Sequence, residues 1–271
     1  MYEAYWKMNT KPFSYRVDSA NLYRSQTLQS SALRLRYCFE NNAGAALLLG
    51  VSGVGKSSLL QKLRADDDHL APFIHLSFPT LSPAELTHAI AVEILGDEPA
   101  GDLSTDTLLL HVQRKLHTYS EQGQHAVIAF DEAHLLSNDS LNHVVLPLLN
   151  LVDTDHRLSL SVVLSGQPSL VAKIARNAQL RERIAVTATM DRFTDNEIRQ
   201  YIDARLKAVG ASTPVFTEGA VDAIIQLSQG NPRRINRLCD MALLVGYADQ
   251  ISQITDAEVR SLSAEILPAA A

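Results

Sequence analysis

The stretch Gly50-Val51-Ser52-Gly53-Val54-Gly55-Lys56-Ser57 constrains this chain more than any other, because it fits the spacing G-x-x-x-x-G-K-[ST]. The apolar run Ala45-Ala46-Leu47-Leu48-Leu49 precedes it, and Ser58-Leu59-Leu60-Gln61-Lys62-Leu63 continues it as a helix. Strand, glycine loop and helix in that order are the context in which this spacing holds a phosphate chain. Glycine has no Cβ, so the loop can turn its N–H groups onto an anion without obstruction. The helix N-terminus adds partial positive charge beneath the phosphates. Lys56 can reach the β- and γ-phosphates, and the Ser57 hydroxyl can ligate Mg²⁺. The expectation is a nucleotide site built from Gly50 through Ser58 in an α/β domain.

The length of 271 residues suits one large domain, or a core with a small satellite. With 46% hydrophobic and 20% charged residues, the composition is that of a soluble globular protein. A net charge of −6 argues against a surface that is basic everywhere, while leaving room for a local basic groove. Cys38 and Cys239 are isolated, which predicts buried thiols rather than a disulfide or a zinc site. No apolar run approaches the roughly 20 residues that span a bilayer. The N-terminus MYEAYWKMNT lacks the layout of a signal peptide, so a cytoplasmic location is expected.

The first segment is aromatic, with Tyr2, Tyr5, Trp6, Phe13, Tyr15 and Tyr23. Two readings stand: a flap beside the nucleotide base, or a docking of the N-terminus onto the core. Leu28, Ala32, Leu35 and Phe39 recur at helical spacing. Asp66-Asp67-Asp68 reads as a solvated turn, and Phe73 to Phe78 as a short buried strand. Ser82-Pro83-Ala84-Glu85 is a capping box with proline at the first helical position. Leu108 to His117 reads as a further helix. The strand His125 to Phe130 ends in Asp131-Glu132, which is the Walker B arrangement. Asp131 would hold Mg²⁺ through water, and Glu132 would polarise the attacking water. His134 then reads as a polar neighbour of the site. The helix from about Asn138 contains Pro147, so a kink or early stop is expected there. Leu158 to Leu164 suits a central strand of a parallel sheet, and it ends in Ser165-Gly166-Gln167-Pro168. Ile184 to Met190 is the last strand.

A run of helices follows. Thr194 with Glu197, and Thr255 with Glu258, form capping boxes, Thr217 caps a third helix, and Gly210 and Gly230 stand at stop positions. Asn231-Pro232 starts a helix with Arg233 and Arg234 in its first turn, where two cations oppose the macrodipole. A nearby phosphate would offset that cost.

Met1-Tyr2-Glu3 with Lys11-Pro12-Phe13, Ser165-Gly166-Gln167-Pro168, Leu180-Arg181-Glu182-Arg183-Ile184 and Gly230-Asn231-Pro232-Arg233-Arg234-Ile235-Asn236 resemble the ExeA/GspA (general secretion pathway protein A) family of AAA+ ATPases. The resemblance runs from Met1 to about Ile266 and extends to ATPases of pilus assembly and transposition. It implies Gln167, or Ser165, as the sensor-1 group. It implies Arg183, with Arg181 as alternative, as the arginine finger given to a neighbouring subunit, and Arg233 as sensor 2. Lys11, Pro12 and Phe13 would form a strap near the adenine. Secretion members of the family commonly continue into a transmembrane helix and a peptidoglycan-binding region. The sequence ends at Ala271 with neither, so a direct role in placing a secretion pore is not expected. His134 stands where members often carry Gln.

The expected fold is thus α/β, a P-loop NTPase of the AAA+ kind. Residues 1–192 would form a core with a parallel five-stranded sheet in the order 5-1-4-3-2, flanked by helices, and residues 193–271 an α-helical lid. The expected activity is Mg²⁺-dependent ATP hydrolysis in a self-associating protein that acts on a partner of a secretion, pilus or transposition system. A DNA-binding regulator of the transposition type is the alternative, with Arg192, Arg199 and Arg205, or Arg233, Arg234 and Arg237, as phosphate contacts. A small-molecule kinase and a non-hydrolysing adaptor are further rivals, opposed by Glu132 and by the intact set Lys56, Asp131 and Glu132.

Overall fold

The computed structural model of the chain describes residues 1–14, 23–77, 80–97, 103–211 and 213–262. Their contacts divide the chain into two units. One comprises Gln26–Ser52 and Lys56–Met190, the other Met1–Ser25, Gly53–Gly55 and Asp191–Ala271.

In the first unit, strands and helices alternate: α1 (Gln26–Glu40), β1 (Ala45–Leu49), α2 (Lys56–Asp66), β2 (Phe73–Leu76), α3 (Pro83–Leu95), α4 (Thr105–Glu121) and β3 (Ala126–Phe130). A 3₁₀ turn at Ala133–Leu135 leads to α5 (Asn138–Ser140), a π-helical segment Leu141–Val145 and α6 (Leu146–Thr154). Then come β4 (Leu160–Gly166), α7 (Ser169–Ala175), α8 (Ala178–Glu182) and β5 (Ile184–Thr189). The five strands lie in the order β2-β3-β4-β1-β5, the predicted order read from the other edge, and every pairing is parallel. A parallel sheet covered on both faces needs strands that are apolar throughout. β1, β3 and β4 are accordingly buried at every residue, whereas in β5, at the sheet edge, Ala185, Thr187 and Thr189 are exposed. Ser82 and Glu85 close the predicted capping box at the start of α3. Phe78, expected to end β2, and Tyr15 lie outside the described residues.

Pro147 neither stops nor breaks its helix. The backbone remains helical from Asn138 to Thr154 because a π turn precedes the proline. Leu146 N–H donates to Leu141 C=O, five residues back. The widened turn makes room for a ring that has no N–H to give.

The second unit holds α9 (Asp195–Ala208), α10 (Glu218–Ser228), α11 (Pro232–Ala248) and α12 (Asp256–Ser261). The capping boxes at Thr194 and Thr255 are present, and Thr217 caps α10. Met1–Ser25 groups with these helices, not with the α/β core to which the sequence reading gave it. The reason lies in its aromatic side chains. Tyr2, Trp6 and Phe13 are buried among Ile198, Leu206, Leu238 and Leu243. Trp6 Nε1 donates to Leu243 C=O at 3.0 Å, and Arg205 Nε donates to Pro12 C=O at 2.6 Å. Gly246 leaves space for Trp6, since a Cβ there would fall 2.8 Å from its ring. The N-terminal aromatics thus pack on the helical unit and not on the α/β core. Among the described residues, no helix is long and apolar enough to cross a membrane. Both cysteines are buried and free.

Candidate nucleotide site

The glycine loop leaves β1 at the carboxyl edge of the sheet, where Gly50 N–H donates to Gly166 C=O of β4 at 3.1 Å. Ligand sites of open α/β sheets form at this edge. Gly53 and Gly55 take φ of +85° and +102°, a left-handed backbone that side chains resist. Gly53 also lacks room for a Cβ, which would lie 2.7 Å from Asn231 Oδ1. Lys56 opens α2 and is 4% exposed. Its ammonium arches back over the loop, donating to Gly50 C=O at 2.9 Å and Val51 C=O at 3.3 Å.

Asp131 follows β3 and is buried. Its Oδ2 accepts from Ser57 Oγ at 2.5 Å and lies 3.2 Å from His75 Nε2. Its Oδ1 accepts from Ser165 Oγ at 2.9 Å and from Glu132 N–H at 3.0 Å. Burial alone pushes this carboxyl up. The bonds from His75, Ser57, Ser165 and the Glu132 amide together outweigh that effect and hold it far below the usual carboxylate range. Asp131 is therefore a charged, pre-aimed acceptor.

Glu132 sits at φ +50°, a costly conformation for a non-glycine residue and one that recurs at functional sites. Its side chain is 40% exposed, and Oε2 lies 3.4 Å from His134 Nδ1, which makes no hydrogen bond. The segment after it is pinned by Lys173 of α7, whose ammonium donates to His134 C=O at 2.7 Å and Leu136 C=O at 2.5 Å.

The structure thus brings Lys56, Ser57, Asp131 and Ser165 together around the start of α2, with Glu132 adjoining. Gln167 follows β4 and accepts a bond from Leu170 N–H through its carbonyl. Of the two sensor-1 candidates, Ser165 is the one that touches Asp131. Arg183 is held inside its own chain, by Asp153 at 2.9 Å, Asn150 at 2.9 Å and Gln179 C=O at 3.0 Å. Its neighbour Arg181, in the last turn of α8, is exposed. In the helical unit, Asn231 caps α11 through Arg233 N–H and Arg234 N–H, and Arg233 N–H also approaches Gly53 C=O at 3.3 Å. His75 and Lys173 carry no motif signal. Their approach to the site follows from strand order and from the packing of α7.

These residues fit a nucleotide triphosphate with Mg²⁺. The buried Lys56 ammonium spends its bonds on the loop's own carbonyls, an arrangement an incoming anion can take over. Among the described residues, no group of three or more His, Cys, Asp or Glu side chains could hold a metal. Mg²⁺ keeps several waters and binds through one or two protein oxygens plus substrate phosphates. Ser57 would supply such an oxygen, and Asp131 would hold the ion through water.

Comparison with known proteins agrees with this geometry. Residues 40–174 match the AAA domain family. General secretion pathway protein A of Aeromonas hydrophila is 29% identical, over 98% of this chain and 48% of its own length. This chain therefore spans about half of that relative. Among solved structures, Cdc6p of Pyrobaculum aerophilum is similar with a TM-score of 0.77 at 20% identity, over 96% of this chain and 72% of that one. Aeropyrum pernix ORC1, solved in complex with DNA, gives 0.72 at 17% identity, over 96% and 70%. Thermotoga maritima RuvB, a Holliday junction branch migration motor, gives 0.61 at 16% identity, over 94% and 73%.

Proposed function

We propose that this chain, which matches the AAA domain family over residues 40–174 and is similar to general secretion pathway protein A, binds ATP with Mg²⁺, hydrolyses it, and uses the cycle to assemble or remodel a protein partner. The observation that carries the reading is the buried junction of Ser57 with Asp131, beside a lysine folded over the glycine loop. Gly50 to Ser58 wrap the phosphates, and Lys56 neutralises charge at the β- and γ-positions. Ser57 and Asp131 would hold Mg²⁺, which when bound would supply further charge neutralisation at the phosphates. Glu132 orients the attacking water and accepts its proton. Ser165, or Gln167 beyond it, senses the terminal phosphate. Arg183 or Arg181 completes the site of a neighbouring subunit in a self-associated form, and Arg233 reads the γ-phosphate. The partner belongs to a secretion, pilus or transposition system, approached from the cytoplasm.

A DNA-binding regulator is not favoured. The likeness to an origin protein bound to DNA lies below 20% identity and speaks for the fold alone.

The test is Glu132→Gln. The substitution keeps the shape and removes the proton acceptor, so ATP binding should persist while turnover falls by about 10²–10⁴-fold. Turnover close to that of the unaltered protein would remove Glu132 from the mechanism.

A further inference from the structure

Every donor that grips Asp131 comes from a motif position except one, the His75 ring on β2. We propose that His75 is a positioning residue that fixes the Asp131 carboxylate for its divalent cation, an inference that rests on the Mg²⁺-nucleotide reading above.

The argument begins with register. β2 pairs with β3 in parallel, His75 level with Ala129, and Asp131 N–H donates to Leu76 C=O at 2.9 Å. Strand side chains alternate faces, so residues 75, 129 and 131 share one, and the His75 ring reaches along it to the carboxylate. Its Nε2 stops 3.2 Å from Oδ2, with the His75 side chain 18% and the Asp131 side chain 9% exposed. An ionised carboxylate only accepts, so Nε2 carries the proton in this contact.

The division of labour on the carboxylate then decides what His75 does. Oδ1 is gripped by Ser165 and the Glu132 amide, Oδ2 by Ser57 and His75. Together they fill the roughly four lone-pair positions a carboxylate offers. In P-loop proteins the serine oxygen serves the cation through its lone pairs, while its O–H can go on donating to Oδ2. His75 is then the donor on Oδ2 that takes no part in holding the cation. A donor on each oxygen sets the plane of a carboxylate, and His75 adds a ring-borne donor on Oδ2 that is independent of the glycine loop and its helix. Outer partners of this kind orient metal ligands, and losing one typically costs about 10–100-fold in metal affinity.

The experiment compares the unaltered chain with His75→Leu and His75→Gln. Mn²⁺ binding is read by electron paramagnetic resonance in the presence of ADP, and ADP affinity is read separately by calorimetry in EDTA. Leucine keeps bulk without a donor, while glutamine restores an N–H near the position of Nε2. His75→Leu should weaken Mn²⁺ binding by about 10–100-fold, leave the EDTA affinity unchanged, and be largely rescued by His75→Gln. If His75→Leu does not fold, His75→Ala carries the same comparison. Mn²⁺ binding unchanged by loss of the donor overturns the proposal. So does an equal loss of ADP affinity in EDTA, or a glutamine variant no better than leucine, since either marks a merely structural side chain. Failure of the unaltered protein to bind Mn²⁺ with ADP overturns the nucleotide reading itself, and the His75 inference with it.

Discussion

Lys56 shows what a single residue contributes. The ammonium is almost fully buried and bonded to two loop carbonyls, so it is held at the loop before any ligand arrives. Lys56→Ala deletes the cation facing the β- and γ-phosphates. ATP affinity by calorimetry should fall at least tenfold, about 1.4 kcal/mol. Unchanged affinity would put the phosphate site elsewhere. The motif spacing makes Lys56 readable from the sequence, as it does Asp131 and Glu132. His75 is not readable, because its role depends on which strand lies beside β3.

At the scale of the element, His125 ties the entry of β3 to β4. Its Nδ1 lies 2.6 Å from Ser159 Oγ and its Nε2 2.9 Å from Ser161 Oγ. Burial pushes the imidazole down to about 4, with the Asp67 charge opposing weakly. The folded value lies below the ordinary value of about 6.5, so as pH falls the unfolded chain takes up the proton first. The contribution is fully present above about pH 6.5 and is lost as pH falls toward the folded value, to a total of about 3 kcal/mol. Urea denaturation of the unaltered chain and of His125→Gln, at pH 7 and pH 4.5, measures it. The glutamine variant should lose markedly less stability between the two. Equal losses would clear His125. The N-terminal segment makes a second case. Phe13 is fully buried in the helical unit, its ring centroid 6.4 Å from that of Phe216. Phe13→Ala should destabilise by about 3–5 kcal/mol, read as a fall in the melting temperature. An unshifted melting curve would mean the segment contributes nothing to that core.

For the whole molecule, the proposed self-association gives the arginines distinct expectations. Arg183 already holds Asp153, Asn150 and Gln179, whereas Arg181 is exposed. An arginine supplied to a neighbour's site is worth roughly 10³–10⁵ in rate. The alanine variant of the true donor should bind ATP and be nearly inactive, then regain activity when mixed with Glu132→Gln. One interface in that mixture joins an intact Glu132 to an intact arginine. If Arg183 only braces its own chain, Arg183→Ala should lower stability by under about 1 kcal/mol, as surface pairs do. In that event Arg181→Ala should show the inactivity and the rescue. Rescue with neither variant, and activity independent of protein concentration, would end the shared-site reading.

The sequence by itself determined whatever is local or strictly spaced. The glycine loop, the strand ending in Asp131-Glu132, the capping boxes and the apolar strands all follow from periodicity and backbone chemistry within a few residues. The strand order came from the resemblance those motifs carry, and the structure has the same order. Tertiary structure alone decided what depends on neighbours distant in the chain. Ser165 rather than Gln167 meets Asp131 because β4 lies beside β3 and aims that residue inward. The N-terminus joins the helices because Gly246 leaves space for Trp6. Pro147 is passed because the preceding turn widens. His75 reaches the carboxylate because β2, short as it is, pairs with β3 in a register no periodicity encodes.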